Sequence, residues 1–596
     1  MTRPLRIANM SGFYGDRLSA MAEMLAGGDI DVISGDYLAE VTMLILAKAR
    51  ERDPAKGYAT TFLRQLEPVL ADVAARGVKV VTNAGGLNPH ALAGEIRTMA
   101  AAAGLALGVA VVDGDDLLPR LADLQASGHR FEHLGRGTPL ADGGLVPLTA
   151  NGYLGAAGIA LALSEGADVV ICGRVTDASL VVGPAVWWHG WGPADLDRLA
   201  GAVAAGHVIE CGAQATGGNY SSFTELDLTH PGFPIAEVDA DGSSVITKHP
   251  GTGGAVTVGT VTAQLIYEIA GPRYLNPYVV ARFDSTAVTQ IGPDRVRLSG
   301  TRGEAPPPDT KVAITALGGW RNQTALMLTG LDIDAKRSLV ETAMRSRFDG
   351  DKGVDHMEFQ LIGAVADDPE DQGQATCELR CVVTGQDPRV VGRTFSGALV
   401  ELGLASYPGF YFTTLPGDAS SFGTYWPALV PQAVLRHRVT LPDGQVREIA
   451  PPPVGPGQAA GAAGADPATR PARAVGVAEP DEPLTSVPFG HLVDARSGDK
   501  GGDANVGVWV RRAEAWEWLR SYLTVERFRS LVPEAKDLDV DRHEFANLRA
   551  VNLVVHGLLG EGATANLHYD NQAKALGEYL RARRVLIPSG LLAAER

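Results

Sequence analysis

Val78-Lys-Val-Val-Thr-Asn83-Ala-Gly85-Gly86-Leu-Asn-Pro89 is the stretch whose reading decides the fold. A short β-branched run gives way to a loop of glycine and asparagine, and Pro89 then opens a segment of helical length, which is the strand–turn–helix unit of an α/β sheet. The same arrangement recurs on both sides of it. Arg6 to Ala8 leads into Asn9-Met-Ser-Gly12-Phe-Tyr-Gly15-Asp16, and Ile30 to Ile33 into Ser34-Gly35-Asp36. Leu107 to Val112 leads into Asp113-Gly-Asp115-Asp116, and Asp168 to Ile171 into Cys172-Gly173-Arg174-Val-Thr176-Asp177. A sixth unit is expected at Val208-Ile209, followed by Glu210-Cys211-Gly-Ala-Gln214-Ala-Thr-Gly217-Gly218-Asn219. If the strands are parallel, every one of these loops leaves a carboxyl end and faces one crevice, the place where open α/β sheets bind ligands.

At 596 residues the chain is long enough for several domains. The pattern divides it into an α/β domain with a mostly parallel sheet over 1–220 and a mixed α+β domain over 221–450. A Pro/Gly/Ala linker follows over 451–484, then a small α+β domain over 485–596. In that last part His491 to Asp494 is expected as a strand and Arg496-Ser497-Gly-Asp499-Lys500-Gly-Gly-Asp503-Ala-Asn505 as a charged loop, in the order β, β, α, β, α. The formal charge of −17 argues against a nucleic-acid partner. Four cysteines make no disulfide framework, and Cys377 and Cys381 lack the neighbours that zinc needs. The first residues leave no room for a signal-peptide apolar region, and Pro147 and Asn151 interrupt the uncharged run of 143–164. A cytoplasmic protein with no membrane partner is expected. Pro184-Ala-Val-Trp187-Trp188-His189, with Trp191 behind it, is expected as a core edge or the subunit contact of a homo-oligomer.

Glycine fingerprints for a dinucleotide or a P-loop, a Gly-x-Ser-x-Gly elbow and a His-Glu-x-x-His motif are all missing. No cofactor and no metal are therefore expected. What stands out instead is polar chemistry beside glycines. Glu210 and His207 suit proton transfer, and Cys211 suits a nucleophile if its thiolate is favoured. Arg174 with Asp177 suits a clamp on a carboxylate or phosphate. Asn83, Gly85, Gly86, Gln214, Gly217, Gly218 and Asn219 are candidate loop contacts to substrate, and the loop of Arg496, Ser497, Asp499, Lys500 and Asp503 resembles an anion nest or an oxygen-ligand site for Mg²⁺. His249-Pro-Gly-Thr-Gly-Gly254 is a further candidate anion site, at a helix start.

His207 to Asn219, Gly173 to Ser179, Asn83 to Pro89, and Pro250 to Val258 with Gln264-Leu-Ile-Tyr-Glu268 resemble the acyclic terpene utilisation, AtuA-like, family over about residues 5 to 450. Ala495 to Asn505 and the end of the chain resemble the small ferredoxin-fold domain that accompanies it, over about 487 to 590. The resemblance implies bacterial breakdown of acyclic terpenes through acyl-CoA thioesters, and it brings no agreed set of catalytic residues. The resulting expectation is an enzyme that adds or removes water on a branched carboxylic acid or its CoA thioester. Two alternatives remain: a non-catalytic acyl-CoA-binding or scaffolding subunit, and a Cys211-dependent hydrolase or acyltransferase.

Overall fold

The computed structural model describes residues 3–350, 353–454 and 483–592, so the expected linker lies largely outside the described residues. Five of the six expected strands form, at Leu5–Asn9, Val32–Gly35, Lys79–Thr82, Val109–Asp113 and Val169–Cys172. They pair in parallel, with Val169–Cys172 inserted between Lys79–Thr82 and Val109–Asp113. Their burial on both faces explains the near-continuous Val and Ile runs. One face packs on the Ala157–Ser164, Ser179–His189 and Leu196–Ile209 helices, and the other on Ala20–Ala26, Thr60–Leu66, Leu70–Arg76 and Pro89–Ala102.

The sixth strand does not exist. Val208-Ile209 is the last turn of the Leu196–Ile209 helix. From Leu199 onward that helix is buried all round, so its Ala- and Gly-rich sequence carries no polar stripe by which its period could be read. Gly201 shows how closely it is held, because a Cβ there would sit 2.1 Å from the Gly242 carbonyl oxygen.

The sheet runs on beyond its parallel core. Pro234–Val238 adds antiparallel to Leu5–Asn9, followed by Ser244–Lys248, Arg295–Ser299 and Ala287–Gly292, while Arg438–Thr440 and Val446–Glu448 close the other edge of an 11-stranded sheet. Compact packing groups residues 1–315, 425–563 and 570–596 into one unit and 316–424 with 564–569 into a second.

The second unit is sheet-rich. His356–Ile362, Thr376–Gly385 and the far part of the Asp309–Thr329 strand form an antiparallel layer. Its core of Leu326, Leu328, Leu379 and Val383 packs with Val340 and Met344 of the Ile333–Arg347 helix and with Phe395 and Leu399 of Phe395–Ala405. Cys377 and Cys381 are free and buried there.

Within the first unit, residues 484–563 and 570–592 form a small α+β, ferredoxin-like layer. Asp494–Lys500, Asp503–Trp509, Ala550–Val555 and Val540–Phe545 make its antiparallel sheet, backed by Trp516–Tyr522, Val525–Leu531 and Leu576–Ala582. The expected charged loop is therefore a β-hairpin, with Lys500 opposite Asp503 across a tight turn. The strand expected over His491 to Asp494 does not form there: His491 ends the Phe489–His491 3₁₀ turn, and the strand begins only at Asp494. The strand Val540–Phe545 and the helix Val525–Leu531 are additions to the order read from sequence.

Among the described residues no helix is long and apolar enough to cross a membrane. The aromatic run is a core edge: Trp188 Nε1 donates to the Arg3 carbonyl, Trp191 Nε1 donates to the Ala240 carbonyl, and His189 stacks on Trp191.

Candidate functional site

Each parallel strand ends by placing a polar group at the carboxyl edge of the sheet. After Val32–Gly35 comes Asp36, whose Oδ1 accepts from Asn83 Nδ2 at 2.7 Å. Asn83, expected as a substrate contact, is fully buried, and its own Oδ1 accepts from the Tyr37 N–H at 2.8 Å. Asn83 therefore fixes the neighbouring loop. After Val109–Asp113 comes Asp115, whose Oδ2 accepts from Asn151 Nδ2 and from the Arg174 N–H, and whose carboxyl is pushed up by burial to about 7.

Arg174 follows Val169–Cys172 and is buried. It donates to Asp177 Oδ1 at 2.8 Å and to the Tyr153 hydroxyl at 2.9 Å, and its guanidinium lies 4.3 Å from the Tyr153 ring centroid. With those donors engaged, Arg174 is a structural partner that aims Asp177 and contributes a fixed positive charge.

The helical course of Leu196–Ile209 changes how His207 and Glu210 relate. On a strand, alternation limits how many neighbouring side chains face one way. On a helix, positions i and i+3 share a face. His207 Nδ1 indeed lies 3.0 Å from Glu210 Oε1. Burial, with the Lys500 charge adding to it, lowers the His207 pKa to about 4. Burial, reinforced by the carboxylates of Asp177 and Glu268, pushes the Glu210 carboxyl well above its usual range, and Lys500 and Arg174 only partly offset this. Near neutral pH the imidazole is neutral, the protonated form of Glu210 is favoured relative to an ordinary carboxyl, and Glu210 Oε2 is buried without a hydrogen-bond partner among the described residues.

Cys211 sits in the same field. Burial and the charges of Glu210 and Glu268 raise its thiol well above the ordinary value. This direction disfavours the thiolate that a cysteine nucleophile needs.

The glycine loops are corrected too. The N–H groups of Gly217 and Gly218 donate to Gln214 and Ala213, and that of Gly86 to Asn83, so they close their own turns. Gly217 adopts φ 111°, which explains the residue without a ligand. Gly85 is required by packing, since a Cβ would lie 2.5 Å from the Cys172 carbonyl oxygen. The helix start after His249 is likewise occupied: Val258 N–H donates to Gln290, and Thr257 and Thr260 form a reciprocal cap.

The small domain reaches into this region. Arg496 donates to Gln214 Oε1 at 2.6 Å and to the Asn219 carbonyl at 3.2 Å, with its guanidinium 4.2 Å from the Tyr267 ring centroid. Arg496, Gln214 and Asn219 thus fasten the hairpin to the turn after Glu210. Ser497, expected as a ligand, accepts from the Gly577 N–H and donates to the Lys574 carbonyl. Lys574 in turn pairs with Glu268 Oε1 at 2.9 Å and lies 3.4 Å from Asp499 Oδ1. Burial first, then the Glu268 charge, pushes the Asp499 carboxyl up to about 7.

Three further charged residues complete the cluster. Glu40 begins the Glu40–Arg52 helix, and its ionised form is favoured because Lys311, the helix start, Arg174 and Lys500 outweigh the effect of burial. Lys311 lies 5.3 Å from the ring centroids of both Tyr153 and Tyr425, and although burial opposes its charge, these tyrosines and Glu40 keep it protonated. Lys500 stands at the hairpin tip, 5.9 Å from the Tyr274 ring centroid. Glu40, Asp177, Glu210, Glu268 and Lys311 each keep part of their surface accessible to water, and Lys500 keeps most of all. We take these groups, which keep access to water and also shift one another's protonation, as the lining of one recess.

Sequence reasoning named Asp177, Glu210, His207, Asp499 and Lys500 of this cluster and missed Glu40, Lys311 and Glu268. Glu268 lies inside a stretch already singled out, Gln264-Leu-Ile-Tyr-Glu268, and its φ of 54° sets it apart from an ordinary helix end. A shallow depression bordered by Arg321, Asn322, Gly417 and Asp418 belongs to the second unit and gathers no comparable set of charges.

The hairpin is braced by an ion-pair chain. His556 Nδ1 and Nε2 each lie 3.0 Å from a carboxylate, of Asp503 and Asp541 respectively. These hydrogen bonds raise the His556 pKa to about 10. His556 is therefore expected to stay protonated at about pH 8, where an unperturbed histidine is neutral. Its stabilising contribution is fully present below the unfolded value of about 6.5 and is lost as pH rises through the folded one. An NMR titration of the His556 ring checks this, and a midpoint near that of free histidine would contradict it.

Compared with known families, residues 5–441 match the family described as acyclic terpene utilisation family protein AtuA, and residues 487–586 match the AtuA ferredoxin-like domain. No curated protein and no solved structure matches the chain.

Proposed function

The chain belongs to the acyclic terpene utilisation AtuA family, and from that premise we propose that it is a catabolic hydro-lyase, adding or removing water on a branched carboxylic acid or its CoA thioester. One observation carries this reading. Two carboxyl groups that share Arg174 and Lys500 as charged neighbours, Glu40 and Glu210, have their protonation pushed in opposite directions. Such a split separates a base from an acid within one site.

In the dehydration direction Glu40, ionised, takes the proton next to the carboxyl carbon. Glu210, protonated, gives its proton to the departing hydroxyl, which leaves as water while the carbon–carbon double bond forms. Lys311, with the positive field of Arg174 behind it, faces the carboxylate or thioester oxygen on which negative charge builds up. His207, protonated at Nδ1, donates to Glu210 Oε1, which orients the acid and leaves its one proton on Oε2, the oxygen that meets the departing hydroxyl. The orphaned Glu210 Oε2 supports the reading, because an unsatisfied buried oxygen costs stability and a substrate hydroxyl would satisfy it.

The Trp pairs do not favour the binding-subunit alternative. Trp188 is tied to the Arg3 carbonyl, and Trp518 stacks on Tyr522 at 4.5 Å between centroids inside the small domain. The test is a panel of branched enoyl and 3-hydroxyacyl acids and their CoA thioesters, incubated with the protein and followed by mass. Gain or loss of one water on at least one member is expected. A panel in which every member binds and none changes mass would instead support the subunit reading.

A further inference from the structure

Of the lysines lining the recess, two are engaged. Lys574 is paired with Glu268 and Asp499, and Lys311 is held charged between Tyr153 and Tyr425 with Glu40 near it. Lys500 differs. Among the described residues no ion pair or hydrogen bond ties its ammonium, although Glu268, Glu40 and Asp177 lie within electrostatic reach. Its side chain is open to water at the hairpin tip, with the ammonium 5.9 Å from the Tyr274 ring centroid.

The backbone that carries Lys500 is fixed. Lys500 is in register with Asp503, Gly501 turns at φ 67° against the Tyr425 ring, and a Cβ on Gly502 would lie 2.3 Å from the Gly560 carbonyl oxygen. Asp503 is held by His556 and by the Gly557 N–H. A rigid hairpin thus presents one uncommitted primary amine to a site that already holds an acid and an anion-binding cation.

We propose that Lys500 is a nucleophile that forms an iminium with the ketone or aldehyde group of a small oxo-carboxylate, whose carboxylate is held at Lys311. Although its surface is open to water, partial desolvation by the surrounding protein and then the neighbouring Lys311 charge lower the basicity of Lys500, which favours the free amine. The steps balance without any added reagent. The nitrogen lone pair forms a bond to the carbonyl carbon, and one proton passes from nitrogen to the former carbonyl oxygen to give a carbinolamine. Glu210 then donates its proton to that hydroxyl, the carbon–oxygen bond breaks, and water leaves. The products are the lysine iminium, one water and the Glu210 carboxylate.

The inference rests on the recess being the reaction site and does not require that water addition to a double bond be the reaction. The full-length protein is incubated with levulinate and cyanoborohydride, and in parallel with pyruvate, then digested and mapped by mass spectrometry. One reduced adduct on Lys500 is expected. Lys500→Arg, which keeps the charge, is expected to lose the label while its melting temperature matches the parent. Lys536→Arg, on the surface, is expected to leave labelling unchanged. Label on Lys311 or Lys574, or none on the parent beyond the Lys500→Arg level with both acids, overturns the proposal. Trapping without water addition in the substrate panel would overturn the hydro-lyase reading alone, and water addition without trapping would overturn this inference alone.

Discussion

Glu210→Gln is expected to lower turnover roughly 10²–10⁴-fold, the usual worth of a positioned general acid, while leaving the fold intact. Glutamine has nearly the same shape and can still meet His207 Nδ1, so the 3.0 Å contact that orients the side chain survives. What it cannot do is release a proton to a departing hydroxyl. The pH dependence gives the sign. Burial and the Asp177 and Glu268 charges hold Glu210 protonated above the ordinary carboxyl range, so the parent's rate falls as pH rises through that raised value. In Glu210→Gln the residual rate lacks this falling limb. Steady-state rates across pH, measured on whichever substrate the panel identifies, check both points, with thermal melting as the control for folding. A variant that keeps most of the parent's turnover and the same limb would remove Glu210 from the chemistry.

The second large effect concerns stability. Arg174→Ala is expected to cost about 3–5 kcal/mol, the range for breaking one side of a buried ion pair. The buried guanidinium binds Asp177 and Tyr153, and it is among the charges that offset the desolvation of Asp36 and Glu210. Without it these carboxyls keep only the Lys500 charge near Glu210 and the Asn83 hydrogen bond at Asp36 as compensation. Burial already pushes the Asp36 carboxyl well above its usual range, so in the variant more of the group protonates and the deficit grows with pH. Urea unfolding of parent and variant in mildly acidic and mildly alkaline buffer measures the difference. Arg174→Lys restores little, because an ammonium cannot span Asp177 and Tyr153 while stacking on the Tyr153 ring. An equal loss at both pH values would show that lost packing, not lost charge, is the cause.

Much of the fold could be read because buried parallel strands announce themselves. Val78 to Thr82 and its four counterparts are short β-branched runs closed by glycine with Asp or Asn, and all five form where expected. The Leu196–Ile209 helix escaped for the opposite reason: it is buried on every side, and a helix with no polar face loses its 3.6-residue signature. The Asp494–Lys500 and Asp503–Trp509 hairpin escaped because charge and glycine suggest a solvated loop, whereas Arg496, Ser497 and Asn505 are buried and hydrogen-bonded.

The site divided along similar lines. Asp177, Glu210, Asp499 and Lys500 stand beside glycines and drew attention. Glu40 and Lys311 sit at the starts of an ordinary helix and strand, and nothing local marks them. Only the tertiary fold brings them to the same recess. Glycine, conversely, was read too generously. At Gly85, Gly86, Gly217 and Gly218 close packing and turn closure account for the residue.

The carboxyl edge of the sheet and the tip of the small domain's hairpin together form the proposed acid–base site, which exchanges water with its substrate. The most direct test is to run the reaction in heavy-oxygen water and follow label into substrate and product hydroxyl groups, for the parent and for Glu210→Gln. The account predicts that label enters the hydroxyl at the carbon where water adds, at a rate that collapses in the variant. Turnover by the parent with no label incorporated, or incorporation that Glu210→Gln leaves unchanged, would contradict it.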